Sequence, residues 1–238
     1  MKLLAHELGF RALNEIIRNT DEDIVIDRCF GERFIGSGAS SKTITINGTP
    51  GNALGAYLDG ATIIVNGNAQ DAAGDTMNDG RIIIYGNAGD VLGYAMRGGK
   101  IYVRDDTGYR TGIHMKEYKD KKPVIVVGGT VGSFLGEYMA GGIIIVLGLN
   151  TDDIPVGNFT GTGMHGGQIF IRTRKKLKYL PKQVCLNMAD DDDINSIREY
   201  LREFSELFGH NMDDILSKPF YNLTPNAKNP YKQMYTYN

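Results

Sequence analysis

A glycine recurs every 19 residues along this chain: Gly36, Gly55, Gly74, Gly93 and Gly112 stand in strict register, and after short insertions the register resumes at Gly136 and Gly161. A fixed period of this length marks a repeat architecture, whose units are too small to bury an apolar face alone and must stack on their neighbours. Three residues after each of the last six glycines stands one long apolar side chain, Leu58, Met77, Met96, Met115, Met139 or Met164, with Ala39 in the first unit. Short strands follow, reading TITIN, TIIVN, RIIIY, KIYVR, IIIVL and QIFIR. Their second and fourth positions, from Ile44 and Ile46 to Ile169 and Ile171, are β-branched throughout. Alternate residues of a strand face opposite ways, so these pairs define one inward ladder that gains a rung per unit. The unit at Gly112 fits if four extra residues are allowed around Lys119 to Lys122, which places Val124 and Val126 inward. The pattern predicts an all-β fold: a right-handed, single-stranded parallel β-helix of about seven coils. A left-handed hexapeptide helix is set aside because its six-residue steps do not divide a 19-residue period.

Composition agrees. Glycine is 31 of 238 residues against 7 prolines, and all but Gly9 and Gly209 lie between Gly31 and Gly167, the distribution of repeated tight turns rather than of a linker. Three segments follow: residues 1–30 as an N-terminal helix and lead-in strand, 31–180 as the β-helix, and 181–238 as a C-terminal helix and an extended arm. A solenoid must cover the unpaired strand edges at its ends, and the termini supply the candidates. Residues 3 to 18 have helical apolar spacing, and Ile194, Ile197, Leu201, Phe204 and Phe208 form a clearer stripe after the acidic run Asp190 to Asp193, which favours a helix start. Beyond Pro219 the chain is rich in tyrosine and proline and reads as an arm docked on its own body or on a partner.

The totals exclude several function classes. With 26 basic and 28 acidic side chains the net charge is -2, so nothing suggests a nucleic acid or an anionic membrane as partner. No apolar stretch reaches the ~18 residues of a membrane span. Cys29 and Cys185 are isolated, which argues against a disulfide framework or a zinc or iron-sulfur site and fits a reducing cytoplasm. His6, His114, His165 and His210 lack a recurrent carboxylate, and the phosphate-cradle look of GTGMHGG loses force because similar glycines recur in every coil. Arg172, Arg174, Lys175, Lys176 and Lys178 read as a solvated or self-paired surface. Arg81, Lys100 and Arg104 lie on adjacent coils without the carboxylates that a polysaccharide-cleaving site needs. No catalytic, cofactor-binding or metal-ligating residue is expected. The one outward signal is the strand position between the inward pairs: Ile64, Ile83, Tyr102, Ile145 and Phe170 form an external apolar stripe, expected either to meet another domain or subunit or to lie under the chain's own C-terminal helix or arm. A homo-oligomer is among the possible assemblies.

The strings GNALGAYLDGATIIVNGNAQDAAGDTMNDGRIIIYGNAGDVLG and GSFLGEYMAGGIIIVLGLNTDDIPVGNFTGTGMHGGQIFI resemble the glycine repeats of the C-terminal β-helix domain of the glutamate synthase large subunit, and the same repeat occurs in the glycine-repeat subunit of formylmethanofuran dehydrogenase. The opening ELGFRALNEII and the helix at 194–208 resemble the segments flanking the glutamate synthase domain. The structural glycines carried over are Gly132, Gly136, Gly141, Gly142, Gly157, Gly161, Gly166 and Gly167. The resemblance implies a non-catalytic assembly subunit of a split glutamate synthase-like enzyme. Amidotransferase and FMN-binding chains would be its partners, with FMN and an iron-sulfur cluster on those chains and none here. The alternatives are a structural component of a formylmethanofuran dehydrogenase-type complex and a polysaccharide-active β-helix enzyme.

Overall fold

The computed structural model describes residues 1–226. Eight strands stack in parallel and in chain order: β2 (Ile24–Phe30), β3 (Thr43–Thr49), β4 (Asp59–Asn66), β5 (Asp79–Ile84), β6 (Lys100–Val103), β7 (Val124–Val127), β8 (Ala140–Val146) and β9 (Gly166–Arg172). Ile44 pairs with Ile63, Ile63 with Ile82 and Ile82 with Ile101, so like residue stacks on like. A second ladder of single bridges joins Ala69, Ala88, Thr107, Val131 and Val156 on successive coils. This is a parallel β-solenoid with one regular strand per turn. It has eight turns rather than the expected seven, because β2 also belongs to the stack, with Ile24 and Ile26 opposite Ile44 and Ile46. The strand β2 is the lead-in strand expected within residues 1–30; it stands outside the glycine period because what precedes it is helix α1 (Ala5–Arg18) and not another glycine turn.

The side chains explain the stacking. Both members of each inward pair are buried, and the long slot residues Leu58, Met77, Met96, Met115, Met139 and Met164 are fully buried beside them in one continuous core. The turn glycines adopt left-handed backbone; at Gly55, φ is 62°. A Cβ there would lie 2.8 Å from Ile82 Cδ1 and 3.1 Å from Ile63 Cδ1, so the turn demands glycine for both conformation and space. The register at β7 departs from expectation. Ile101 pairs with Ile125 and Ile125 with Ile144, so the inward residues of β7 are Ile125 and Val127, while Val124 and Val126 face outward. The insertion is five residues rather than four (125 − 101 = 24, against 19), and a one-residue slip sends every side chain of a strand to the other face.

Both ends are closed. At the start, β1 (Lys2–Leu4) runs parallel to β2, and α1 drops Leu13 and Ile17 into the core. The buried Lys42 amine donates to the carbonyls of Ile17, at 2.8 Å, and of Thr20, tying the end of α1 to the first coils. At the far end β11 (Phe220–Pro225) pairs antiparallel with β9, and β10 (Val184–Met188) pairs antiparallel with β11. Reversing strand direction ends the parallel ladder, and Leu223 plugs the last coil of the core. Thus β11 takes up the start of the Tyr/Pro-rich arm; the remainder, 227–238, lies outside the described residues.

Candidate functional site

The exterior has two contrasting faces, formed by the strands and by the glycine turns. On the strand face, Tyr102, Val126, Ile145 and Phe170 project outward and are fully buried. What covers them is the chain itself: α2 (Asp191–Phe208) lays Ile197, Leu201 and Phe204 across the strands, and Ile215 of the short α3 (Met212–Leu216) completes a second core. Of the two occupants expected for this stripe, a partner or the chain's own C-terminal helix, it is the helix that lies over it. Tyr102, Ile145 and Phe170 are occupied intramolecularly, Ile83 is buried nearby, and Ile64 is half-buried. Helix α2 can be long because its start is capped reciprocally: Asp193 N donates to Asp190 Oδ1 at 2.9 Å, and Asp190 N donates to Asp193 Oδ2 at 3.4 Å.

A polar clamp fixes how α2 lies. Glu203 accepts from Lys100 Nζ and Tyr102 Oη, both at 2.7 Å, and from Arg81 at 3.0 Å. Burial pushes the Glu203 carboxyl up, but these three donors outweigh it and hold the group below the usual glutamate range. Burial, followed by the carboxylate of Glu203, pushes the Tyr102 phenol up. Arg81 and Lys100, the nearest approach to a convergent basic site in the sequence, thus serve to dock the helix. Arg104 instead forms an ion pair with its neighbour Asp105. Arg172, expected within a surface run, is buried and donates to the carbonyls of Ile215, Asp214 and Leu147 at 2.6, 2.7 and 3.2 Å, binding α3 to the solenoid.

The glycine-turn face differs. Here backbone donors alternate between coils: Gly55 N–H reaches back to Ile35 O, whereas Ala53 and Tyr57 N–H reach forward to Asp71 O and Asp75 O. With this alternation come left-handed residues two before and two after the marking glycine, including Phe34, Phe134 and Phe159 before it and Tyr57, His114 and Tyr138 after it. Their rings stand outside and contact one another from coil to coil. Tyr94 meets His114 edge-on at 5.8 Å between ring centroids, and His114 stacks on Tyr138 at 5.3 Å with an interplanar angle of 10°. Phe134 stacks on Phe159 at 5.0 Å, and the Arg110 guanidinium sits 4.8 Å from the Phe134 centroid while donating to Glu137 at 3.0 Å. Sequence reasoning missed this column because it followed the slot three residues after each glycine and left the variable positions at two unexamined.

Among the described residues no group of three His, Cys, Asp or Glu side chains is placed to hold a metal ion. Cys29 is buried, and that burial, reinforced by Glu32, pushes its thiol up to about 12, well away from a reactive thiolate; Cys185 is exposed at the other end of the fold. His165 Nδ1 lies 3.1 Å from Gly163 O, and His210 stacks on Phe204. A cleft of about 660 Å³ between α1 and the first coil is lined by residues of mixed charge, among them Arg11, Glu15, Arg18 and Asp21. No helix among the described residues is long and apolar enough to cross a membrane.

Known proteins share this build. The family described as GXGXG motif matches residues 11–227. An uncharacterised protein of Methanocaldococcus jannaschii is 43% identical over 247 aligned positions, covering 98% of this chain and 95% of that protein. Among solved structures, a chain of the formyltransferase/hydrolase complex (FhcABCD) of Methylorubrum extorquens, solved with methylofuran, superposes with a TM-score of 0.64 at 22% identity, covering 86% of this chain and 73% of that one. At that identity the likeness is one of fold.

Proposed function

This chain belongs to the GXGXG motif family, and on that premise we propose that it is a non-catalytic β-solenoid subunit that holds the catalytic chains of a multi-subunit enzyme in place. The observation that carries the reading is the likeness, over most of both chains, to a component of the FhcABCD complex. The exterior agrees in kind: Arg81, Lys100, Arg172 and Lys42, its convergent basic groups, dock α2, α3 and α1, and its exposed turn-face rings form columns rather than a cleft. A complex of the formylmethanofuran dehydrogenase or formyltransferase/hydrolase type is the first assignment for the assembly.

A second assignment rests on a specific segment. The ELGFRALNEII stretch that resembles the lead-in of the glutamate synthase β-helix domain forms most of α1, the element that closes the first coil. On this reading the partners are an amidotransferase chain and an FMN-binding chain that carries an iron-sulfur cluster, and the assembly makes glutamate from glutamine and 2-oxoglutarate.

Affinity purification of the chain from its native cells, with identification of the co-purifying chains and an absorbance scan, tests both assignments. A molybdenum or tungsten enzyme, or formyltransferase/hydrolase chains, supports the first, and an amidotransferase together with a flavoprotein supports the second. A chain that purifies alone and colourless contradicts the assembly reading.

A further inference from the structure

Among the described residues, the solenoid covers three of its surfaces with its own chain, and the glycine-turn face is not one of them. Helix α1 and β1 cover the first coil, β10 and β11 the last, and α2 and α3 the strand face. On the glycine-turn face Phe34, Tyr57, Tyr94, Tyr109, Tyr138 and Phe159 stay between 38% and 59% exposed. Architecture does not ask for rings here. The slot two residues after the marking glycine is filled by Gly38, Ala95 and Gly163 in other coils, and left-handed backbone penalises any side chain larger than glycine. Phe34, Tyr57, Tyr138 and Phe159 carry their rings in that conformation on a surface, and strained backbone of this kind concentrates where a contact is made.

Size and charge say what kind of contact. A tyrosine or phenylalanine offers about 150–250 Å², so six that are roughly half exposed present about 600 Å² before backbone is counted, close to the ~800 Å² per partner of a standard protein interface. Mixed Tyr, Phe, His and Arg is also the composition of interface centres. From three residues before to two after all seven marking glycines, the charged side chains are Asp71, Asp75, Asp90, Glu137, Arg33 and Arg110, a balance of 2 − 4 = −2. Arg110 is already paired with Glu137. Asp71 and Asp90 each accept a backbone N–H of the next coil through one oxygen, from Asp90 and Tyr109, and Asp75 accepts from the Thr76 hydroxyl. Among the described residues none of the three faces a cation in an ion pair, so these carboxylates and the electron-rich ring faces both favour cations.

We propose that the glycine-turn face is the docking surface for a different protein chain, one that sets aliphatic side chains against the ring column and arginine or lysine against Asp71, Asp75 and Asp90. This deepens the assembly reading and rests on it. The test expresses the full chain, tagged, in its native cells in three forms: wild type, the double variant Asp75→Arg with Tyr138→Arg, and the control Met188→Arg on the exposed edge strand β10. Co-purifying chains are identified by mass spectrometry and rebound as purified components, and each form is melted alone. Wild type and control are expected to hold the same partner in stoichiometric amount, while the double variant loses it at least tenfold with an unchanged melting temperature. Equal partner recovery by the double variant would overturn the face assignment and leave the assembly reading standing. A wild-type chain that pairs only with itself, and that the double variant turns monomeric, would replace the foreign partner with a second copy. Purification of the wild type as a lone monomer would remove both readings.

Discussion

The strand face and the glycine-turn face each repeat large side chains from coil to coil, yet one is a core and the other a surface. On the strand face Tyr102, Ile145 and Phe170 have lost all contact with solvent because α2 supplies a matching apolar stripe and Glu203 locks its position. On the turn face Tyr94 meets only the edge of His114, Phe159 stacks only on Phe134, and both, like Tyr57, remain open. Outward hydrophobicity alone therefore does not identify an interface. It does so only after the chain's own elements have been placed, and here that placement reverses which face is available.

Matched substitutions sharpen the contrast. Ile145→Lys puts an unpaired charge beneath α2 and is expected to destabilise the isolated chain by about 4 kcal/mol or more. Tyr138→Lys on the open face should cost less than about 1 kcal/mol. Urea unfolding of both variants checks the pair, and equal losses would break the distinction between the faces. Next in size is Gly55→Ala, which combines about 1–3 kcal/mol of left-handed strain with overpacking against Ile82 and Ile63. The lower ends of the two effects add to an expected loss of at least about 2 kcal/mol, read from the same denaturation curves.

The clamp on α2 gives a pH dependence. A carboxyl whose folded value is depressed contributes stability that is full above its ordinary range, near pH 4.3, and is lost as pH falls through the folded value. For Glu203 the helix should stay docked at pH 5 and loosen below about pH 4. Near-ultraviolet circular dichroism follows it through Tyr102, which lies beneath the helix, and in Glu203→Gln this acid-side step should shrink. The smallest effect is expected at Tyr57→Gly. Its exposed ring contributes little to the isolated fold and its φ is 58°, so relief of strain should leave stability unchanged or raise it by up to about 1 kcal/mol. A loss larger than that in thermal melts would mean that the ring serves the fold, which contradicts a surface kept for a partner.

The solenoid was legible because its rule is local and repeated: one glycine, one long apolar slot and one alternating pair per turn specify the stack without knowledge of distant residues. The misses have local causes too. The turn at β2 carries no glycine mark, and at β7 a five-residue insertion against an assumed four turned Val124 and Val126 outward. The burial of the strand face was legible only as an alternative, because Glu203 lies more than 100 residues from the Lys100 and Tyr102 that it clamps. Arg172 looked like surface for the same reason, since its acceptors, the carbonyls of Asp214 and Ile215, are brought near only by the docking of α3. Most of the rings, Phe34, Tyr57, His114, Phe134, Tyr138 and Phe159, stand in the sequence two residues from a marking glycine, but no periodic hydrophobicity marks those slots; what distinguishes them is a backbone conformation, and that emerges only with the coil-to-coil hydrogen bonds.

Hydroxyl-radical footprinting of the native assembly against the isolated chain measures the two faces together. The account predicts that oxidation of Tyr57, Tyr94, Tyr138 and Phe159 falls several-fold on assembly, while Tyr102 and Phe204 are unreactive in both states. Unchanged oxidation of the turn-face rings, or reactive Tyr102 and Phe204 in the isolated chain that become protected on assembly, would contradict it and return the interface to the strand face.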